Sequence, residues 1–270
     1  MIIFPNCKIN LGLRILRKRN DGYHDLETVF YPLALKDVLE IQRDTTLNFT
    51  AYGLPIPGDR DGNLCIKAWQ LLKKDFPDLP FVHIHLYKHI PIGAGLGGGS
   101  SDGASTLLLL NKQFNLGLDT SRLLSYAAEL GSDCPFFILN APSLGGGRGE
   151  KLQPATIDLS GYCFVLIDPR LHISTAQAFS LCTPSTAGPS IHEIIQQPID
   201  TWKDQLINDF EAPVFQLHPR LREIKDLLYS HGAVYAALSG SGSSLFGIFA
   251  KGKPPGLPAS SHYEKFELPC

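Results

Sequence analysis

Hydrophobic and polar positions alternate along the first fifty residues, and the alternation predicts a run of strands. Between positions 4 and 15, Cys7, Ile9, Leu11 and Leu13 fall on one side and Lys8, Asn10 and Gly12 on the other. That period of two is what a pleated strand requires. It aims Lys8 away from the apolar face, and by pattern alone this reads as a solvated lysine. Segments 26–35, 38–43 and 47–52 predict further strands, and the Pro- and Gly-rich 53–62 a loop. Leu64, Ala68, Leu71 and Leu72 then fall at helical spacing, with Asn63 before them as an N-cap. From 81 to 88, Val82, Ile84 and Leu86 face one way and His83, His85 and Tyr87 the other. No third ligand stands near the two histidines, so a solvated sheet face is favoured over a metal site.

The pattern turns helical after position 97. Leu107 to Leu110 leave the helix that ends near Phe114 apolar on nearly all sides, which predicts a central, buried helix. A second helix spans 120–130, with Asp119 or Thr120 as cap and Gly131 as its stop. Ser132-Asp133-Cys134-Pro135 follows, and the apolar 136–139 read as a strand, placing Asp133 on a turn between helix and strand. Four glycines within 143–150 predict a hairpin, which sets a domain boundary: 1–152 and 153–270. Beyond it come a strand at 162–167, a helical or extended stretch at 173–181, a loop at 183–190, and helices at 207–216 and 219–231. Strands at 234–238 and 245–249 flank the turn Ser239-Gly240-Ser241-Gly242-Ser243. The proline-rich tail reads as peripheral, and no internal repeat is visible.

One stretch stands out chemically. Pro91-Ile92-Gly93-Ala94-Gly95-Leu96-Gly97-Gly98-Gly99-Ser100-Ser101 feeds glycines and two hydroxyls into the start of the buried helix. Helix starts present unpaired N–H groups and partial positive charge, so they favour phosphate oxygens. The stretch lacks the lysine of a Walker A loop. Gly93, Gly95 and Gly98 match the dinucleotide fingerprint formally, but no acidic residue closes a second strand at the required spacing. A phosphate loop of another class remains. A second exposed turn, Lys18-Arg19-Asn20-Asp21-Gly22-Tyr23-His24, presents adjacent aromatic and imidazole rings that either stack on a base or cover a core edge.

Composition narrows the setting. The chain has 270 residues, 44% hydrophobic and 19% charged, with a net charge of −2. This is a globular mix without the basic surplus of a nucleic-acid or anionic-membrane binder. No apolar run is long enough to cross a bilayer, and the first residues resemble neither a signal nor a transit peptide. Six scattered cysteines read as buried thiols of a reducing cytoplasm. Nothing near Cys134 supplies a base that would make it a nucleophile.

Four stretches occur in a recognisable order: Pro5-Asn6-Cys7-Lys8-Ile9-Asn10-Leu11, Asp21-Gly22-Tyr23-His24, the 91–101 loop, and Gly131-Ser132-Asp133-Cys134-Pro135-Phe136-Phe137. This set resembles the GHMP kinase superfamily, named for galactokinase, homoserine, mevalonate and phosphomevalonate kinases. Within it, the match points to the branch acting on CDP-methylerythritol in the non-mevalonate route to isoprenoid precursors. Gly147-Arg148-Gly149-Glu150 and Ser239-Gly240-Ser241-Gly242 look like its later motifs, so the resemblance runs through nearly the whole chain.

The resemblance implies a two-domain α+β GHMP kinase fold. Its N-terminal, ATP-binding domain (1–152) is like domain 2 of ribosomal protein S5, and an α+β C-terminal domain (153–270) closes over substrate. It implies ATP and Mg²⁺ as cofactors, the phosphates being cradled by Pro91, Ile92, Gly93, Ala94, Gly95, Leu96, Gly97, Gly98, Gly99, Ser100 and Ser101. It places Asn63 and Lys88 beside the adenine, and makes Lys8 and Asp133 a close catalytic pair. Tyr23, His24 and Phe179 fall around a cytosine, and Asn10 at the methylerythritol end. The sequence singles out no metal carboxylate, and two positions depart from the family pattern: Asp102, where many relatives have asparagine, and Arg148, where some have a small or apolar residue. The partner implied is a small-molecule substrate, CDP-methylerythritol, with no nucleic acid and no membrane, for a cytoplasmic monomer or weak homodimer. The alternative is another small-molecule kinase of the superfamily, of homoserine, mevalonate or sugar type. The Tyr23-His24 turn argues against it, since those kinases have no cytosine to recognise. The presence of both Lys8 and Asp133 argues against a non-catalytic nucleotide-binding protein.

Overall fold

Residues 1–252, 256–258 and 260–268 are described by the structure, a computed structural model. In chain order the first elements are β1 (Ile2–Ile3), β2 (Asn6–Lys18), β3 (His24–Lys36), β4 (Val38–Arg43) and β5 (Asn48–Gly53). They are followed by α1 (Leu64–Asp75), β6 (Val82–Lys88), α2 (Gly98–Phe114), α3 (Thr120–Leu130) and α4 (Cys134–Leu139). The hairpin β7 (Ser143–Gly146) and β8 (Lys151–Pro154) leads to β9 (Tyr162–Asp168), α5 (Thr175–Ser180) and α6 (Ile191–Ile195). A 3-10 turn (Ile199–Thr201) runs into α7 (Trp202–Gln205), then α8 (Glu211–Leu217) and α9 (Pro219–Ser230). The last strands are β10 (Tyr235–Leu238), β11 (Leu245–Ala250) and β12 (Glu264–Leu268).

These elements sort into two compact units that interleave along the chain. The first takes residues 1–7, 35–92 and 97–141; the second takes 8–34, 93–96 and everything from 142 onward. In the first unit the sheet runs β1-β4-β6-β5, with β5 parallel to β6 and the other pairs antiparallel. Leu39, Ile41, Ile84 and Leu86 of this sheet are buried, as are Ile66 and Trp69 of α1 and Leu107 and Leu110 of α2. Burying that apolar stripe is what holds short helices in place.

The second unit contains the antiparallel sheet β10-β11-β9-β12. The sheet β2-β3-β7-β8 lies mostly in this unit too. Its core gathers Leu13 and Ile15 with Val165, Ile167, Phe210, Leu221 and Phe249.

Several expectations change. Residues 136–139 form the end of helix α4 and not a strand; Pro135 stands in its first turn, where a missing N–H costs nothing. A four-residue apolar run does not distinguish strand from helix by periodicity. β2 is covered on both faces, so Lys8 and Asn10 are 4% and 2% exposed rather than solvated. The helix expected from 207 begins at Glu211, because Asn208 pairs in a bridge with Leu13 and the Asp209 N–H donates to the Leu13 carbonyl. α6 and α7 were not visible in the pattern. The tail is not peripheral: β12 pairs antiparallel with β9. Pro254, Pro255 and Cys270 lie outside the described residues. The five described cysteines are free thiols. Among the described residues no helix is long and apolar enough to cross a membrane.

Candidate active site

In the second unit the strand β2 delivers Lys8 and Asn10 to a buried polar network. The Lys8 ammonium donates to Asn10 Oδ1 at 2.6 Å and to the Gly95 carbonyl at 3.1 Å. Asn10 is fixed in turn: its Nδ2 donates to Thr28 Oγ1 at 3.0 Å, and that hydroxyl donates to the Gly12 carbonyl at 2.6 Å. The Lys8 main-chain N–H donates to the Leu96 carbonyl at 3.0 Å, so the strand and this part of the glycine loop are joined by both backbone and side chain.

Gly95 must be glycine. Its φ is +79°, and a Cβ there would stand 1.9 Å from the Ser239 carbonyl oxygen. Ser239 Oγ also donates to the Gly95 carbonyl at 2.9 Å, so the Ser239-Gly240-Ser241-Gly242 turn seats against this loop segment. Asn208 holds that turn by donating to the carbonyls of Leu238 and Gly240, both at 2.8 Å. Nothing in the hydrophobic pattern singled out Asn208; its local signal is that of a helix start.

The second unit also collects the expected aromatic residues. His24 and Phe179 stack with ring centroids 4.9 Å apart and planes 12° from parallel, and Phe179 meets Phe210 edge-on. Tyr23 is 55% exposed, with the Arg148 guanidinium 4.7 Å from its ring centroid. The turn behind them is braced by ion pairs: Arg19 pairs with Asp21 and Asp25. Hydrogen bonds from Arg19 hold the Asp21 carboxyl below the usual carboxylate range, and those from Arg17 and Arg19 do the same for Asp25. Flat apolar faces with polar edges, standing on a rigid turn, suit a planar heterocycle.

In the first unit, Gly97 enters α2 with φ +70° and no side-chain cap. The first-turn N–H groups of α2 therefore keep their capacity for an anion. A Cβ at Gly99 would meet nothing within 4 Å, so space lies open beside this turn. Ser101 Oγ is buried and has no hydrogen-bond partner. Asp133 occupies the N-cap position of α4, partly buried. The side chain of its neighbour Cys134 hydrogen-bonds Ser100, which sets the Asp133 turn against the start of α2. Burial pushes the Cys134 thiol up to about 12, with the Asp133 charge adding to the push against the Ser100 bond. It stays a neutral thiol and is no nucleophile.

Two residues expected beside an adenine are already engaged. Asn63 Oδ1 accepts the Cys65 N–H at 2.9 Å and caps α1. The Lys88 ammonium bonds Asp37 and Asp102, and its carbonyl accepts the Leu54 N–H at 2.8 Å. Loop residues Ala94 and Leu96 are buried, while Ile92 is exposed.

The chain is similar to known proteins along most of its length. Residues 63–141 match the GHMP kinases N terminal domain, and residues 191–257 match the GHMP kinases C terminal domain. A 4-diphosphocytidyl-2-C-methyl-D-erythritol kinase of Bacteroides thetaiotaomicron is 53% identical over 92% of each chain. One of Bacteroides fragilis is 52% identical over 93% of this chain and 92% of its own. The crystal structure of a 4-(cytidine 5'-diphospho)-2C-methyl-D-erythritol kinase superimposes with a TM-score of 0.79 at 32% identity, covering 92% of this chain and 90% of that one. With relatives this similar along nearly its whole length, and with both domain matches in order, the chain belongs to the GHMP kinases.

Proposed function

We propose that this chain is a 4-diphosphocytidyl-2-C-methyl-D-erythritol kinase. It transfers the γ-phosphoryl group of ATP to the 2-hydroxyl of CDP-methylerythritol, in the non-mevalonate route to isoprenoid precursors. The observation that carries the phosphoryl-transfer chemistry is the bond from the buried Lys8 ammonium to the Gly95 carbonyl, which ties a cation to the glycine loop. Phosphoryl transfer asks a protein mainly for positioning and charge stabilisation, and a fixed ammonium at a phosphate loop supplies both.

In this reading the loop from Pro91 to Ser101 cradles the phosphates through its backbone N–H groups. Asp133 accepts the proton of the C2 hydroxyl, which is a poor nucleophile until that proton is drawn away. Lys8 acts with Asp133, steadying charge on the transferring group. Asn10 fixes the ammonium and holds the methylerythritol end. Tyr23, His24 and Phe179 select cytosine by stacking and by hydrogen bonds to its edge. Asn63 and Lys88 border the adenine, Lys88 by its backbone and stem. The half 1–152 thus brings the phosphate loop and the catalytic pair, and the half 153–270 closes the base site with Phe179. Mg²⁺ fits the orphaned Ser101 hydroxyl, a hard oxygen donor in the first turn of α2. When bound, it neutralises β- and γ-phosphate oxygens. The reading carries with it a cytoplasmic setting and a monomer or weak homodimer.

A coupled ADP-release assay with MgATP and a panel of alcohols tests it. CDP-methylerythritol is expected to turn over far faster than mevalonate or homoserine; preference for either of those sinks the substrate assignment. Asp133→Asn is expected to keep the fold and lower kcat by about a hundredfold or more. A kcat within a few-fold of the parent would remove Asp133 as the base.

A further inference from the structure

We propose that Lys88, Asp37 and Asp102 form a buried ionic clamp on the two ends of the glycine loop, and that Asp102 is a positioning residue for nucleotide phosphates, acting through Lys88. This rests on the reading of the loop as a phosphate cradle. All three side chains are nearly inaccessible, at 2%, 0% and 4% exposure. The Lys88 ammonium lies 2.5 Å from Asp37 Oδ2 and 2.8 Å from Asp102 Oδ2.

Asp37 grips the chain where the loop begins. Its Oδ1 accepts the N–H groups of His89 at 2.6 Å and Ile90 at 2.8 Å, the two residues before Pro91. Its own N–H donates to the Pro5 carbonyl at 2.8 Å, which anchors it from behind. Asp102 grips the chain where the loop ends, inside the first turns of α2. Gly98 rests directly on the clamp: a Cβ there would stand 2.8 Å from Lys88 Nζ and 2.9 Å from Ile90 Cγ2. One ammonium therefore joins the residues preceding the loop to the helix start that follows it.

The chemistry of the arrangement is positional. Charge attraction away from water is steep in distance, so two carboxylates on one ammonium fix the spacing of the segments that carry them. The N–H groups of α2 that would meet phosphate belong to one of those segments. A full negative charge in that turn would repel a phosphate; Lys88 faces Asp102, and burial pushes the Asp102 carboxyl up to about 8, toward its neutral form, so the single ammonium is not set against two full negative charges. Removing Asp102 loosens the helix start while leaving residues that contact the acceptor alcohol in place.

The test uses the full chain and two readouts, MgATP binding by calorimetric titration and steady-state kinetics. Asp102→Ala is expected to raise Kd and KM for MgATP by about tenfold, with KM for the acceptor within about twofold. Asp102→Asn keeps an oxygen that accepts from Lys88, and is expected to restore both nucleotide constants to within about threefold of the parent. Should the alanine variant fail to fold, Asp102→Ser, too short to reach Lys88, takes its place with the same expectations. Unchanged nucleotide constants, an equal rise in both KM values, or an asparagine variant as impaired as alanine overturns the clamp. A parent that binds MgATP but does not phosphorylate CDP-methylerythritol defeats the substrate assignment alone, because the titration still reads the clamp.

Discussion

Lys8 and Lys88 are buried to nearly the same degree, at 4% and 3% exposure, and both sit on strands. Each ammonium is held by oxygen acceptors from other positions in the chain. The acceptors of Lys8 include an amide oxygen and a main-chain carbonyl; those of Lys88 are two carboxylates. The amide and carbonyl oxygens orient the Lys8 ammonium without drawing on its charge, whereas the Asp37 and Asp102 carboxyl groups draw on that of Lys88. Burial alone would push the Lys88 pKa down, but the charges of Asp102 and Asp37 outweigh it and hold the pKa above its usual value. Burial pushes the Asp102 carboxyl up, against the pull of Lys88. Residue type and burial do not separate a lysine that serves a reaction from one that serves the architecture. What each ammonium ties together does: Lys8 is bound to the glycine loop, and Lys88 holds two carboxyl groups from separate segments.

The sharpest way to break the comparison is to remove each ammonium in turn. Lys8→Met is expected to lower kcat by between about a hundredfold and a thousandfold, the cost of losing one fixed donor to developing charge. Its thermal midpoint should move by only a few degrees. If the variant unfolds instead, Lys8 is a structural lysine and the contrast is lost. Lys88→Met should do the reverse. It strands two carboxylates in the interior, and breaking a buried ion pair costs about 3–5 kcal/mol. Urea unfolding of the full chain reads this directly. A Lys88→Met protein as stable as the parent means that the carboxylates are not held by the ammonium.

The two lysines also mark how far the sequence could be read. The glycine loop was legible because the demand for glycine is local: a left-handed φ and an absent Cβ are properties of single positions such as Gly95. The alternation in β2 correctly put Lys8 opposite Leu11 and Ile9, but it put that face in solvent. A period of two tells which residues share a face, not whether a second layer covers it. Lys88 was expected near a nucleotide; its partners Asp37 and Asp102 stand 51 and 14 positions away, and no local pattern links them. Asp102 departs from the family pattern, and the cation that faces it, Lys88, is visible only in the structure. Asn208 was hidden for the same reason, since its role is to hold the carbonyls of Leu238 and Gly240, 30 and 32 positions further on. The stacking of His24 on Phe179 joins residues from opposite halves of the chain, and only the family resemblance anticipated that they belong together.

A smaller perturbation asks whether the acceptor itself carries the distinction. Asn10→Asp replaces a neutral acceptor 2.6 Å from the Lys8 ammonium with a carboxylate, a charged acceptor of the kind that Asp37 and Asp102 present to Lys88. The ammonium then shares its charge with a fixed anion and offers less to a transferring phosphoryl group. The new carboxylate also loses the donor that Asn10 presents to Thr28 Oγ1, whose own proton is committed to the Gly12 carbonyl. Losing that hydrogen bond costs about 1 kcal/mol of stability, too little to unfold the protein. The expected result is a folded enzyme with kcat down by about tenfold, or about 1.4 kcal/mol of barrier, and KM for MgATP little changed. Full activity in Asn10→Asp would mean that the neutrality of the acceptor at position 10 does not matter to the charge that Lys8 offers the reaction.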